Sequence, residues 1–205
     1  MPRKPDISLK KQPKQRRAIA TVEAIVEAAT YILKRHGPAG FTANKVAEKA
    51  GVNIASFYQY FPNKEALLFH IAQLTWDRQF ARLAPILERP GAGHAHKLRD
   101  FIREFFLVEA AEADLRQALR LAAVELRDTK EFGALIARGA ALTRAFIRDA
   151  IQGQAPEDMD FQVDFIVLAT TSFAERTTDA GTSGAILLRQ ADLLTDMLAA
   201  HFGIA

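Results

Sequence analysis

The stretch FTANKVAEKAGVNIASFYQYFPNK, Phe41 to Lys64, decides how this chain folds. Thr42 stands where a helix N-cap belongs, with Phe41 before it and Val46 at the fourth helical position, the pairing of a hydrophobic staple. A short helix from Ala43 to Ala50 is expected. Gly51 can take the left-handed conformation that ends it, Val52 points inward, and Asn53 caps a second short helix whose fourth position is Phe57. Phe61-Pro62-Asn63 breaks that helix, and Asn63 caps the next, with Glu65 in its first turn where the helix dipole favours an anion. Two short helices joined by Ala50-Gly51-Val52-Asn53 make a helix-turn-helix between Thr42 and Phe61.

On a wheel of about 100° per residue, Phe57 and Phe61 of the second helix face inward while Ala55 and Gln59 share the opposite side. Ser56, Tyr58 and Tyr60 flank that outer face. These residue types suit a DNA groove, because a glutamine amide pairs with adenine through both its groups and an alanine methyl meets a thymine methyl. Hydroxyl and ammonium donors on the flanks and at helix starts, from Thr42, Ser56, Tyr58, Tyr60 and Lys64, match passing phosphate oxygens. Ile54 lies nearer the core than the groove.

Upstream, Val22, Ile25, Val26, Ala29, Ile32 and Leu33 recur at the three-and-four spacing of one helix face, which ends at Gly37-Pro38. Met1 to Arg17 holds seven basic residues and three prolines with almost nothing apolar, the composition of a flexible arm. Its task, whether a solvated tail or a reach to phosphate or the minor groove, stays open. Downstream, a helix is expected to run until Pro85. Further helical stretches span Lys97 to Ala111, Asp114 to Leu126, Glu131 to Ile151, Phe161 to Asp179 and Ile186 to Phe202, with breaks at Pro90-Gly91, Pro156 and Gly181 to Gly184. No stretch alternates with period two for long enough to argue a strand, so the fold class is all-α.

Charge is divided unevenly: residues 1–64 carry net +8 and residues 65–205 net −5. A basic end attracts a polyanion and an acidic remainder is repelled by it, so nucleic acid is favoured at the N-terminal end alone. Apolar runs are too short to cross a bilayer, Glu23 and Glu27 interrupt the apolar residues after the basic N-terminus so that no secretion signal is expected, and the cytoplasm is the default compartment. The absence of cysteine excludes disulfides, thiol catalysis and cysteine-bound zinc. His94-x-His96 has no ligand cluster beside it, and no phosphate loop or nucleophile motif occurs, so neither an enzyme nor a metal or cofactor site is expected.

Residues from about Ile19 to Leu68 resemble the N-terminal domain of the TetR family of transcriptional regulators. The likeness rests on the spacing of Ala28-Ala29, Gly37, Phe41-Thr42, Val46-Ala47, Ala50-Gly51-Val52, Phe57-Tyr58, Tyr60-Phe61 and Lys64-Glu65. Carried over, the family's DNA contacts fall on Ala43, Asn44, Ile54, Ala55, Ser56, Tyr58, Gln59, Tyr60 and Lys64. Ala55 and Asn53 depart from the family's commoner glycine and serine, which bears on operator sequence. The resemblance implies a basic arm over 1–17, a three-helix helix-turn-helix DNA-binding domain over 18–65, and a C-terminal helical ligand-binding and dimerisation domain over 66–205. It further implies a repressor that binds a near-palindromic operator as a homodimer and is released by a small-molecule inducer.

In the C-terminal part, apolar residues cover more than one stripe of the last two helices, as expected if that pair packs on its own domain and on a twin; a large monomeric core is the alternative. Trp76, Phe105 and Phe106, with Glu109 and Thr170 as polar fixtures, are the candidate inducer-binding residues. A helical adaptor that binds another protein through the last helices is the rival reading.

Overall fold

The computed structural model describes residues 5–151 and 156–205. Among the described residues there are nine α-helices and no strand. They are α1 (Arg16–Gly40), α2 (Ala43–Lys49), α3 (Ile54–Tyr60), α4 (Lys64–Glu88), α5 (His94–Ala111), α6 (Ala113–Ala122), α7 (Lys130–Ala150), α8 (Pro156–Asp179) and α9 (Gly184–Phe202). A 3-10 turn, Val124–Leu126, follows α6 where the sequence pattern predicts continued α-helix. Contacts divide the chain into one unit of Met1–Thr75 with Asp114–Leu135 and another of Trp76–Ala113 with Ile136–Ala205.

In the first unit the expected N-terminal helix forms and breaks where the glycine predicts, with Gly37 at φ 61° before Pro38. Ile25, Ala29, Ile32 and Leu33 are buried along its inner face. Packing of α1 on α2 and of α2 on α3 sets the helix-turn-helix, and the Lys49 ammonium lies 4.2 Å from the Tyr31 ring centre, a cation–π contact tying the end of α2 to α1.

Two expectations are corrected. The segment Met1 to Arg17 is not a free arm throughout: Ile7 is buried, Arg16 and Arg17 already belong to α1, and residues 6–10 are bonded to the head as described below. Arg3 and Lys4 lie outside the described residues. Secondly, α4 does not stop at Pro85 but continues to Glu88. Pro85 costs the helix one backbone hydrogen bond within its last turn, and burial of Leu83 and Leu87 on either side offsets that loss.

In the second unit α5 packs on α8 and α9 around a core that includes Phe101, Ile102, Phe106, Ile166, Leu187 and Leu198. Arginines on one helix meet aspartates on a neighbouring helix in reversed order. Arg99 pairs with Asp196 and Arg103 with Asp192 between α5 and α9; Arg144 pairs with Asp164 and Arg148 with Asp160 between α7 and α8. Arg103 is bidentate, at 2.6 and 2.7 Å, and holds the Asp192 carboxyl below the usual carboxylate range. Exposed pairs of this kind contribute about 0–1 kcal/mol each, so their effect lies in helix register more than in stability.

Candidate nucleic-acid interface

The caps read from sequence are made. The Thr42 hydroxyl accepts from the Lys45 N–H at 3.3 Å, the Asn53 side chain from the Ala55 N–H at 2.8 Å, and the Asn63 side chain from the Ala66 N–H at 2.7 Å. Gly51 stands at φ 67° and the Val52 N–H returns to the Ala47 carbonyl at 3.0 Å, which closes the turn. A side chain at position 51 would be strained, because the left-handed region penalises a Cβ. Phe57 and Phe61 are fully buried with ring centres 5.7 Å apart, so α3 is anchored by one face only.

The opposite face is open. Ala55 and Gln59 are exposed, Tyr58 is 44% exposed, and Ile54 and Ser56 are half-buried. Thr42 and Asn44 are exposed and Ala43 half-buried at the start of α2, while Lys64 begins α4 with about half its side chain in solvent and only a loose 3.9 Å pairing with Glu65. A cation so weakly engaged is available to a phosphate.

Tyr60 departs from the expected flank position: it is only 6% exposed. Standing three residues after Phe57, it lies about 60° from that anchor on the wheel and shares its buried side. The N-terminal segment also bonds here, with the Lys10 N–H donating to the Tyr60 carbonyl at 3.0 Å. Tyr60 therefore leaves the set of groove-facing residues.

Sequence reasoning missed the docking of residues 6–10. Ile7 is 4% exposed, the Asn63 amide donates to the Asp6 carbonyl at 2.8 Å, and the Lys10 ammonium donates to the Tyr58 carbonyl at 3.2 Å. The Asp6 carboxylate accepts from the Ser8 hydroxyl and N–H, which holds its pKa below the usual range and shapes the turn. The available signal was Ile7 and Leu9 in an otherwise polar run, too short a pattern to announce docking.

Behind α3, the half-buried His70 ring lies 5.7 Å from Phe61, and burial pushes its pKa down. In the unfolded chain the imidazole takes up a proton at about pH 6.5, whereas in the folded head it does so only at lower pH. Its stabilising contribution is thus complete above that range and is lost as pH falls through it toward the depressed value. Thermal unfolding followed from pH 7.5 to 5.5 should fall more steeply for the wild type than for His70→Gln; parallel curves would refute this assignment.

The candidate inducer residues are only partly brought together. On α5, Phe105 and Phe106 have ring centres 6.5 Å apart, and Phe106 meets Phe173 of α8 at 5.9 Å. Glu109 is buried and accepts from the Gln79 amide at 3.0 Å, a partner that sequence did not reveal. Phe106 and Thr170 are buried, whereas Trp76 and Phe105 are half-buried. Elsewhere, His94 bonds Asp149 at 2.8 Å and His96 lies 3.4 Å from Asp100; no cluster of metal-ligating residues exists among the described residues. Nor is any helix among them long and apolar enough to cross a membrane.

Residues 25–71 match the family model described as bacterial regulatory proteins, tetR family. The nucleoid occlusion factor SlmA of Vibrio vulnificus is 30% identical, over 54% of this chain and 71% of that protein. Among solved structures, a TetR-family transcriptional regulator from Mesorhizobium loti superposes with TM-score 0.72 at 18% identity, covering 91% of this chain and 98% of the other. The fatty acid degradation regulator FadR from Bacillus halodurans gives 0.70 at 19%, covering 92% and 96%. FadR from Bacillus subtilis, solved in complex with stearoyl-CoA, gives 0.67 at 18%, covering 86% and 96%.

Proposed function

The chain belongs to the TetR family of bacterial transcriptional regulators, and from that premise we propose that it is a repressor. It binds a near-palindromic operator as a homodimer through α3 and is released by a small-molecule inducer. The observation that carries the reading is the one-sided anchoring of α3, with Phe57 and Phe61 fully buried and Ala55, Tyr58 and Gln59 turned to solvent at the basic end of the chain. Gln59 and Ala55 read base edges; Tyr58, Ser56, Thr42, Asn44 and Lys64 hold phosphate, and Ala43 and Ile54 line the approach. In functional terms the head spans 18–65 and the inducer-binding and dimerising body 66–205.

Inducer binding is assigned to the surroundings of Trp76, Phe105, Phe106, Glu109 and Thr170, where aromatic rings and a buried carboxyl lie on α4, α5 and α8. The stearoyl-CoA held by one FadR makes long-chain acyl-CoA the first ligand class to test. α4 begins at Lys64 and ends at Glu88, so a ligand that prefers a displaced far end of this helix disfavours the DNA-binding arrangement.

Footprinting on DNA upstream of its own gene tests the reading. Wild-type protein is expected to protect a near-palindrome, with affinity falling steeply with salt and with release by saturating acyl-CoA. Gln59→Ala should weaken operator binding by roughly 5-fold to 150-fold, the loss of a base contact worth about 1–3 kcal/mol, and relax preference at the base it meets. Equal binding of operator and scrambled DNA by the wild type would sink the proposal.

The likeness to a nucleoid occlusion factor favours a second reading, a DNA-bound factor that acts at many chromosomal sites. Genome-wide occupancy separates the two: a few promoter sites support the repressor, and many dispersed sites support the alternative.

A further inference from the structure

Three hydrogen bonds fasten residues 6–10 to the end of the recognition helix and to Asn63 just beyond it, and one side chain of the segment is buried. Ile7 is buried, the Asn63 amide donates to the Asp6 carbonyl, the Lys10 N–H donates to the Tyr60 carbonyl, and the Lys10 ammonium donates to the Tyr58 carbonyl. The Asp6–Ser8 turn, with its 2.6 Å hydroxyl bond to the carboxylate, shapes the segment between the Asp6 and Lys10 attachments. Lys10 stays exposed although its ammonium is placed; the nearby Asp6 carboxylate attracts it, but an ammonium with three donors that gives one to a carbonyl still has donors for a phosphate oxygen.

Where that ammonium sits is what matters. It is bonded to the backbone of Tyr58, whose ring is half in solvent and is followed immediately by the exposed Gln59. A helix that reads a major groove has phosphates passing on its flanks, and a lysine offers them a point charge without any demand on base identity. From this we infer that the docked segment is a strap and that Lys10 is a phosphate-binding residue of the DNA interface, held beside α3 before DNA arrives. The inference rests on the assignment of α3 as the recognition helix. It differs from that of a loose basic tail in one respect: the charge acts because Ile7 and Asn63 dock the segment, so that little chain ordering remains to be done on binding.

Random-sequence duplex DNA is a sufficient probe, since phosphate contacts are independent of sequence and are counted by the slope of log K against log salt. Fluorescence anisotropy of the full chain should show Lys10→Ala lowering that slope by roughly 0.9 per head, about 2 per dimer. Ile7→Asp, which leaves every positive charge in place but undocks the strap, should lower it by a similar amount. The double variant should fall no further.

A slope unchanged in Ile7→Asp, with wild-type melting of the head, overturns the strap and leaves an ordinary polyelectrolyte tail. A slope unchanged in Lys10→Ala overturns the phosphate assignment, and this exposed position tests it even where Ile7→Asp fails to fold. Wild-type protein that does not bind duplex DNA overturns the regulator reading together with this one, whereas unchanged slopes against a binding wild type overturn the strap alone.

Discussion

Replacing Phe57 by alanine is expected to lower the stability of the DNA-binding head by roughly 3–5 kcal/mol and to abolish DNA binding with it. Phe57 is fully buried, its ring stands edge-on to Tyr58 at 5.2 Å and 5.7 Å from Phe61, and Phe61 in turn meets His70. α3 has only seven residues, too few to be helical without tertiary packing. Removing its central anchor leaves a cavity and a helix with little to hold it, and the expected loss is comparable with the about 5–15 kcal/mol that stabilises an ordinary domain. Amide hydrogen exchange is the direct measure: protection across α2 and α3 should drop toward that of an open chain in Phe57→Ala and be largely kept in Phe57→Leu, which refills most of the space. Tyr58→Ala supplies the contrast, since a residue already 44% in solvent should cost little stability while still weakening DNA binding. Wild-type protection in Phe57→Ala would mean that α3 is held by something other than its inner face.

How much of this could be read in advance depends on how local the cause is. Thr42, Asn53 and Asn63 cap helices through bonds to residues two or three positions away, and Gly37 and Gly51 turn the chain by their own backbone freedom; such causes are visible in a short window of sequence. Tyr60 is expected from its phenol to flank the outer face, yet its spacing three residues after Phe57 puts it nearer the inner side, and burial denies it the polar role. The strap was not legible. The bond from Asn63 to Asp6 spans 57 positions, that from Lys10 to Tyr58 spans 48, and the pair Ile7 and Leu9 is too short a pattern to announce it. The Gln79 partner of Glu109 and the grouping of Asp114–Leu135 with the N-terminal residues are likewise products of tertiary packing, for which neither periodicity nor capping carries a signal.

The other large effect is expected on the last two helices. On α8, Phe161, Phe165 and Leu168 follow one another at four and three positions, and Phe161 is 73% and Leu168 64% exposed. On α9, Ile186, Leu193 and Met197 form a similar stripe, with Met197 61% exposed, while Leu187, Ala191 and Leu198 are buried on the other side. The two helices pack on each other, so the stripes belong to one unit and leave apolar surface of a kind that monomers rarely expose. A second copy meeting the same stripes by a two-fold axis covers both at once, because an isologous contact puts the same patch on each side. Leu168→Glu combined with Met197→Glu sets two carboxylates into that face without touching a buried residue. Sedimentation should then report a monomer with unchanged helix content. Operator affinity should fall by about 100-fold or more, since each head binds without the effective concentration supplied by its twin. The salt slope should fall toward half, as one set of phosphate contacts replaces two. A variant that sediments as a dimer would place the interface elsewhere. A monomer with wild-type affinity would mean that a single head suffices, and the near-palindromic operator would lose its physical reason.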